Sequence, residues 1–544
     1  MAMQQLTLPE VLGGALNRSP DTEALIFPNV RLTYRQFQGR VSASARSLIG
    51  MGVRPGDVVG VLMPNCAENV TLLFAAASIG ALFVPINNRF RARELAHVIA
   101  DSGMKVLVTN DIVAEQVNYA ERLHQALPEL AGAAPGATPG TAVSSALDHV
   151  VLLGTSEAGG MLSQEQFEVY GRDVSEQQLS GFTATVRGDQ PVLMLYTSGT
   201  TAMPKGCPLT QAQIAGISLA IADRLGLVAG DRLWNALPMF HASSLLPMTA
   251  AFHKSATFVS QLHFSADQTL RQLVDEKITV AWPAYDLIWQ QILTHPDFDA
   301  SQFKGLRALL CVGPPETLML MEKSLPNARI LSCYGITECS GVPVMPLYSD
   351  DQAIRCGTSG LPMEGLRAEI RDPETGAPLP PRQRGLLWMQ GDYVISGYWK
   401  DPAKTAASFD ADHWFNTGDL CSMDENGYIY FHGRLKDTLK VGGENVAAVE
   451  VEAFLTTHPA VKLAAVVGVP DKKLQEVPAA FVELRPGASA TEAEIIQFCK
   501  DNLAGFKVPR HVRFVTEWPM SATKIRKDDL RGPLLEELGL TSDV

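Results

Sequence analysis

The chain has 544 residues, 46% of them hydrophobic and 19% charged, which is enough apolar sequence for more than one packed core and points to a multidomain globular protein. A formal net charge of -13 excludes a broad basic surface for nucleic acid, so an anionic ligand has to be gripped by a few local positive groups. The eight cysteines are scattered without C-x-x-C or zinc-ligand spacing, which fits a reducing cytoplasm and no structural metal.

The N-terminus, M-A-M-Q-Q-L-T-L-P-E, lacks a basic region ahead of an apolar core, so no secretory signal is expected. Val58 to Met63 reads as a buried strand. Val70 to Ile86 is nearly uncharged and about as long as the shortest membrane spans, but it holds Ala, Ser, Gly and Pro85, so a buried helix leading into a strand is expected and no membrane span. Lys105 to Thr109 is a further strand. Leu127 to Ser145 contains A-G-A-A-P-G-A-T-P-G, a composition that cannot build a core and reads as a surface excursion. Strands are again expected at Val192 to Tyr196, Leu306 to Val312 and Ala328 to Ser332, and their alternation with helical patterns predicts α/β layers with largely parallel sheets. Trp282, Tyr285 and Trp289 fall at helical spacing and are expected on one helix face, with Trp289 in the core.

From about Ala353 to Phe431 the pattern changes to short strands, Leu366 to Ile370, Gly385 to Met389 and Tyr428 to Phe431, separated by Pro/Gly turns, which suggests a β-barrel-like segment. After Gly433 a compact series follows: Leu463 to Val469, Ala479 to Leu484, Glu492 to Leu503 and His511 to Val515. This reads as a separate α+β module, with the boundary at Leu435 to Asp437. The expected domains are therefore 1–435 and 436–544.

Tyr196 to Thr210 reads Y-T-S-G-T-T-A-M-P-K-G-C-P-L-T. Backbone amides and hydroxyls in such a loop converge on phosphate oxygens, and Lys205 adds positive charge. Thr197, Ser198, Gly199, Thr200, Thr201 and Lys205 are the candidate phosphate-binding residues. It is not the usual P-loop, because Lys205 precedes Gly206 and no hydroxyl follows. Gly/Ser/Thr/Pro clusters also form plain surface loops, so other segments have to decide.

Those segments come in order: L-P-M-F-H at 237–241, C-V-G-P-P-E at 311–316, Y-G-I-T-E-C-S-G at 334–341, N-T-G-D-L at 416–420 and G-R-L-K-D at 433–437. As a set, from Leu32 to Arg531, they resemble the adenylate-forming superfamily of acyl-CoA synthetases, carrier-protein adenylation domains and luciferases. The resemblance implies a two-step reaction: a carboxylate displaces pyrophosphate from ATP to give acyl-AMP, and a thiol then displaces AMP. It implies a large N-terminal domain, a small mobile C-terminal domain, and ATP, Mg²⁺ and coenzyme A as cofactors and co-substrate.

Residue roles follow from the same resemblance. Lys524 is similar to the lysine that stabilises developing charge in the first step; the family's Pro-x-Ser/Thr-x-Thr-Gly-Lys is here one residue shorter and lacks the glycine, and Lys527 is the alternative. Glu338 is similar to the magnesium ligand, since a carboxylate beside triphosphate makes sense only through a hard cation, and Thr337 to a phosphate or carboxylate contact. Asp419 matches the residue that accepts from both ribose hydroxyls, Arg434 a ribose or phosphate contact, and Gly313, Pro314, Pro315, Tyr334 and Gly335 the adenine slot. Lys436 matches the hinge, and Lys440, Gly442 and Gly443 the pantetheine path. Ala202 stands where the family has glycine. Taken singly, each of these residues also has an ordinary reading as turn, cap or core.

In the acid pocket, His241 stands where amino-acid-activating relatives carry aspartate, so no charge awaits an α-amino group. The expected acid is apolar or aromatic, in a cavity shaped by His241, Leu245, Tyr285, Val312, Ile336 and Val342. No carrier domain follows in the sequence, so an acid:CoA ligase is expected. Acyl transfer to a carrier-protein phosphopantetheine, and a catalytically silent nucleotide- or acyl-binding relative, stay as alternatives. The expected setting is cytoplasmic, with a homodimer as the expected assembly.

Overall fold

The computed structural model describes residues 5–136, 140–197, 203–325, 327–441, 444–521 and 524–540; the side chains of Asn445, Ser521 and Lys524 are outside that description. Ser198, Gly199, Thr200, Thr201, Ala202, Gly442 and Gly443 from the motifs above also lie outside the described residues. The chain divides into two compact units, one of residues 1–367 with 390–413 and one of residues 368–389 with 414–544.

In the first unit, short runs of β-branched and aliphatic residues build two seven-stranded sheets. In chain order the strands are β1 (Glu23–Phe27), β2 (Val30–Thr33), β3 (Val58–Leu62), β4 (Leu82–Pro85), β5 (Val106–Asn110), β6 (His149–Leu153), β7 (Leu162–Ser163), β8 (Pro191–Thr197), β9 (Lys205–Thr210), β10 (Arg232–Trp234), β11 (Thr257–Val259), β12 (Val280–Tyr285), β13 (Ala308–Val312) and β14 (Arg329–Leu331). One sheet has the order β7-β6-β5-β3-β4-β8-β9 and the other β14-β13-β12-β10-β11-β1-β2. Neighbours are parallel except for β8 with β9 and β1 with β2. β3 and β5 are buried along their whole length, as expected of parallel strands covered on both faces.

The apolar run from Val70 is a buried helix, Ala67–Ser78, followed by β4, as read from the sequence. Among the described residues no helix is long and apolar enough to cross a membrane. The described residues of A-G-A-A-P-G-A-T-P-G are exposed or half-buried, as read from the sequence, while Leu127 and Leu130 ahead of them are fully buried in the core of the first sheet. One expectation needs correction. Trp282, Tyr285 and Trp289 do not share a helix face. Trp282 and Tyr285 belong to β12, and only Trp289 lies in the helix Asp286–Leu293, where it is fully buried. Pro283 removes a ladder donor and Ala284 has φ 59°, so β12 is irregular, and the three aromatic residues straddle its junction with the helix.

The second unit holds most of the next sheet and the C-terminal module. After the short pair β15 (Val344–Met345) and β16 (Leu361–Pro362) of the first unit come β17 (Leu366–Arg371), β18 (Gly385–Gly391), β19 (Phe415–Met423) and β20 (Ile429–Arg434). They pair in that order as one four-stranded sheet, which is what the barrel-like pattern becomes. The module follows with β21 (Thr438–Val441), β22 (Glu444–Ala447), β23 (Val461–Asp471), β24 (Gln475–Leu484) and β25 (His511–Phe514). Residues of β23 alternate between two cores: Ala464 and Val466 pack with the helices Ala448–Leu455 and Glu492–Asn502, and Ala465, Val467 and Val469 with Lys527–Glu537. Period-two alternation with both faces apolar is why this module supports helices on each side of its sheet.

Arg355 is a buried charge in the first unit with its donors engaged. Nη1 donates to Glu322 Oε2 and Ile330 O, each at 2.6 Å, Nη2 donates to Glu322 Oε1 at 3.0 Å, and Nε to Asp350 O at 3.0 Å. Burial alone would raise the Glu322 carboxyl, but hydrogen bonds from Arg355 and the Ile330 amide, with the Arg355 charge, hold it below its ordinary value. Replacing Arg355 by alanine is expected to destabilise this unit by about 3–5 kcal/mol, measured by urea unfolding. Because the folded carboxyl is lowered, its contribution is complete above the ordinary value of 4.5 and fades as pH falls through the lowered value. The gap between wild type and Arg355→Ala should therefore shrink in acid.

Candidate active site

Parallel strands bring the first unit's motif residues to one edge. His241 follows β10, Tyr285 ends β12, Gly313 follows β13 and Tyr334 follows β14, and these are four adjacent strands pointing the same way. In the other sheet, β8 delivers Thr197 from its C-terminal end, and β9 starts at Lys205. Crevices outside the carboxyl ends of parallel strands are where α/β folds bind ligands.

Asn65, which follows β3, connects the two edges. Its Nδ2 donates to Leu237 O and its Oδ1 accepts from the Met239 amide, both at 2.9 Å. Asn235, fully buried, grips the same loop from beneath: Oδ1 accepts from the Leu237 amide at 3.0 Å, and Nδ2 donates to Ser243 O and Trp282 O, each at 3.1 Å. Two buried amides therefore fix the L-P-M-F-H segment. Sequence reasoning missed both, because an isolated asparagine next to a strand looks like ordinary turn chemistry.

At the start of β9, the Lys205 ammonium lies 3.9 Å from Asp401 Oδ2. Tyr196, the residue before Thr197, donates to Asp101 Oδ2 at 2.6 Å, and a ring nitrogen of His97 meets Pro204 O at 2.9 Å. His97 and Asp101 are four residues apart on the helix Ala92–Ser102, so one helix face holds both stems of the phosphate-loop motif. Gly206 is needed for close packing, since a Cβ there would come within 2.9 Å of the Trp399 Cβ.

Thr337–Cys339 form one 3₁₀ turn, led in by Ile336, which puts Thr337 and Glu338 side by side. Glu338 Oε1 accepts from the Tyr398 hydroxyl at 2.8 Å. Burial, and then the neighbouring Glu338 charge, push the Tyr398 phenol well above its ordinary range, so it stays a donor. Tyr398 and Asp401 were also missed; the run G-Y-W-K-D-P reads as a turn, and only the fold brings it to Lys205 and Glu338. Tyr334 is buried and its amide donates to Val344 O at 3.0 Å. Pro314 caps and Pro315 starts the helix Pro315–Ser324, where proline's missing N–H costs nothing. A Cβ at Gly313 would sit 2.8 Å from the Cβ of Asp286, a residue also unforeseen, whose carboxyl burial pushes upward. Leu245 and Val342 are buried, while His241, Tyr285, Val312 and Ile336 are half-buried. The Phe240 and His241 rings lie 4.6 Å apart between centroids.

Within the second unit, Asp419 is almost fully buried and faces Arg434 across the β19–β20 ladder, with Arg434 Nε 3.2 Å from Asp419 Oδ1. Lys436 is exposed in the 3₁₀ turn Leu435–Asp437, which buries none of its residues, and Lys440 is exposed on β21. Lys524 pairs in register with Ser521 across a short antiparallel ladder. Lys527, the alternative lysine, is 2.6 Å from Glu452 Oε1 and so already committed to an ion pair.

The donor set can be tested for a cation. Among the described residues no group of three or more His, Cys, Asp or Glu could hold a metal ion. Mg²⁺ in phosphoryl chemistry needs only one or two carboxylates beside the substrate phosphates, and Glu338 meets that requirement.

The AMP-binding enzyme family matches residues 14–399 and the AMP-binding enzyme C-terminal domain matches 450–524, and the chain belongs to this adenylate-forming family. It is 32% identical over 546 residues to the medium-chain acyl-CoA ligase ACSF2, mitochondrial, of Rattus norvegicus, covering 98% of this chain and 88% of that protein. It is 31% identical over 516 residues to feruloyl-CoA synthase of Amycolatopsis sp, covering 94% and 96%. Its fold is similar to that of the anthranilate CoA ligase AuaEII in complex with anthranoyl-AMP, with TM-score 0.83, 26% identity and 98% of each chain covered. ATP-dependent ligation of a carboxylic acid to coenzyme A, with AMP formed, is the chemistry of this chain.

Asn235→Leu keeps the branched outline of the side chain, in a somewhat larger volume, but strands the Leu237 amide and the Ser243 and Trp282 carbonyls. It should lower stability by about 2–4 kcal/mol and raise KM for the acid more than KM for ATP, measured by thermal unfolding and steady-state kinetics.

Proposed function

We propose that the acid is apolar or aromatic, and the observation that carries this is the wall after β10: Phe240, His241, Ala242, Ser243, Ser244 and Leu245 place no carboxylate where an α-amino group would need one. Leu245, Val342, Val312, Ile336 and Tyr285 supply apolar surface for the acyl group. The names of the relatives, which specify medium-chain acyl, feruloyl and anthranilate ligation, support the same class.

In the first half-reaction the acid's carboxylate oxygen attacks the α-phosphorus of ATP as the bond to pyrophosphate breaks. Two anions meet, so positive charge at the reacting centre matters most. Lys205 holds the polyphosphate, Lys524 stabilises the charge that develops on the α-phosphoryl group, and Thr337 donates to a phosphate or carboxylate oxygen. Glu338 would hold Mg²⁺, which would offset phosphate charge. Asp419 accepts from the ribose hydroxyls with Arg434 beside it, and Gly313, Pro314, Pro315, Tyr334 and Gly335 form the adenine slot. Thr197, Ser198, Gly199, Thr200 and Thr201 complete the phosphate loop.

In the second half-reaction the CoA sulfur attacks the acyl carbon and AMP leaves. The chain turns at Lys436, so that residues 436–544 act as a mobile domain against 1–435, and Lys440, Gly442 and Gly443 line the pantetheine path. A turn with no buried side chain between β20 and β21 suits a hinge, since rotation there exposes no apolar surface of its own. A cytoplasmic location and a homodimer complete the reading; light scattering of the purified chain tests the latter.

A panel of straight-chain, branched and aromatic acids with ATP and CoA, followed by AMP release, should show turnover with apolar or aromatic acids and none with amino acids; preference for an amino acid would sink the assignment. Lys524→Ala is expected to slow acid-dependent exchange of pyrophosphate into ATP by about 10²–10³-fold with ATP binding retained. Lys436→Pro should spare that exchange and slow thioester formation. Equal loss of both half-reactions would argue against a hinge at this position.

A further inference from the structure

The turn that carries Glu338 is clamped by the segment 393–398 at three points. Ser340, which is buried and has φ 57°, donates from Oγ to Tyr393 O at 2.7 Å. The Ile395 amide donates to Glu338 O at 2.9 Å. The third point is the Tyr398 hydroxyl, 2.8 Å from Glu338 Oε1, and of the three it alone reaches the carboxylate.

Tyr398 is itself held independently of that hydroxyl. Its amide donates to Thr405 Oγ1 at 3.0 Å. The next residue, Trp399, donates from its amide to Gly206 O at 2.9 Å and from Nε1 to Asp101 O at 3.0 Å. Removing the hydroxyl therefore leaves the segment and the turn in place and frees only the carboxylate. A charge-assisted hydrogen bond from a fixed phenol restricts the carboxylate to one orientation and occupies one oxygen, leaving Oε2 for a second partner.

We propose that Tyr398 is a positioning residue for acid activation: its hydroxyl holds Glu338 Oε1 so that the carboxylate meets the nucleotide-bound cation without first having to be ordered. This inference rests on the reading of Glu338 as the Mg²⁺ residue, and three variants of the full chain separate the two ideas. The readout is acid-dependent pyrophosphate exchange against Mg²⁺ concentration, with the thermal unfolding midpoint as control.

Tyr398→Phe is expected to raise half-saturating Mg²⁺ on the order of tenfold, the size of a lost hydrogen bond to a charged group. The fall in kcat at saturating Mg²⁺ should be smaller, and the unfolding midpoint should match wild type. Combining Tyr398→Phe with Glu338→Gln should cost nothing beyond Glu338→Gln alone, because the hydroxyl acts through that carboxylate. A wild-type Mg²⁺ requirement in Tyr398→Phe beside an impaired Glu338→Gln overturns the positioning role and leaves the reading of Glu338 standing. A wild-type requirement in Glu338→Gln overturns both. A further tenfold loss in the double variant shows that Tyr398 acts elsewhere and also overturns the proposal.

Discussion

Parallel pairing is the constraint on which the rest of the first unit depends. Parallel strands cannot be joined by tight turns, so each connection crosses a sheet face as helix and returns the chain to the same end. In β10, β12, β13 and β14 this happens four times in adjacent strands, and every return ends in a motif residue. Segments scattered over about a hundred positions, from His241 to Glu338, are thereby collected along one edge. The chemistry needs that collection, because a nucleotide and an acid have to be held by side chains from several connections at once.

Electrostatics sharpen the picture. A chain with net charge -13 repels a polyphosphate overall, so the positive groups that receive it have to be local and held in place. Lys205 sits near Asp401, and its loop stems are tied to one face of the helix Ala92–Ser102 through Asp101 and His97. Glu338, by contrast, adds negative charge to the same region, and its carboxylate is held by the Tyr398 hydroxyl. The family's chemistry requires just such a meeting of anions.

What could be read from the sequence differed by kind of residue. Strands such as β3, β5 and β8 were legible because fully buried parallel strands are short continuous apolar runs. The functional segments were legible as an ordered set, because glycines, hydroxyls and carboxylates at fixed spacing are rare together. Asn65, Asn235, Tyr398 and Asp401 were not, since each acts through a partner more than thirty positions away except where Asn235 reaches its own loop. Trp282 and Tyr285 misled for another reason: the three aromatic residues straddle the junction between β12 and the following helix, so their spacing mixes two periods. The choice between Lys524 and Lys527 was open in the sequence, and the Glu452 ion pair bears on it by occupying Lys527.

The Asn65 bridge makes one block of the two sheet edges. Its amide spans the loops after β3 and β10 with one donor and one acceptor, so shifting either loop would leave buried polar groups without partners. Such a rivet denies the loops on either side an easy sliding motion. A change of shape in this region is then channelled into swapping individual side chains on a fixed frame, at buried positions such as Leu245 or Val342, while the bridge stays untouched.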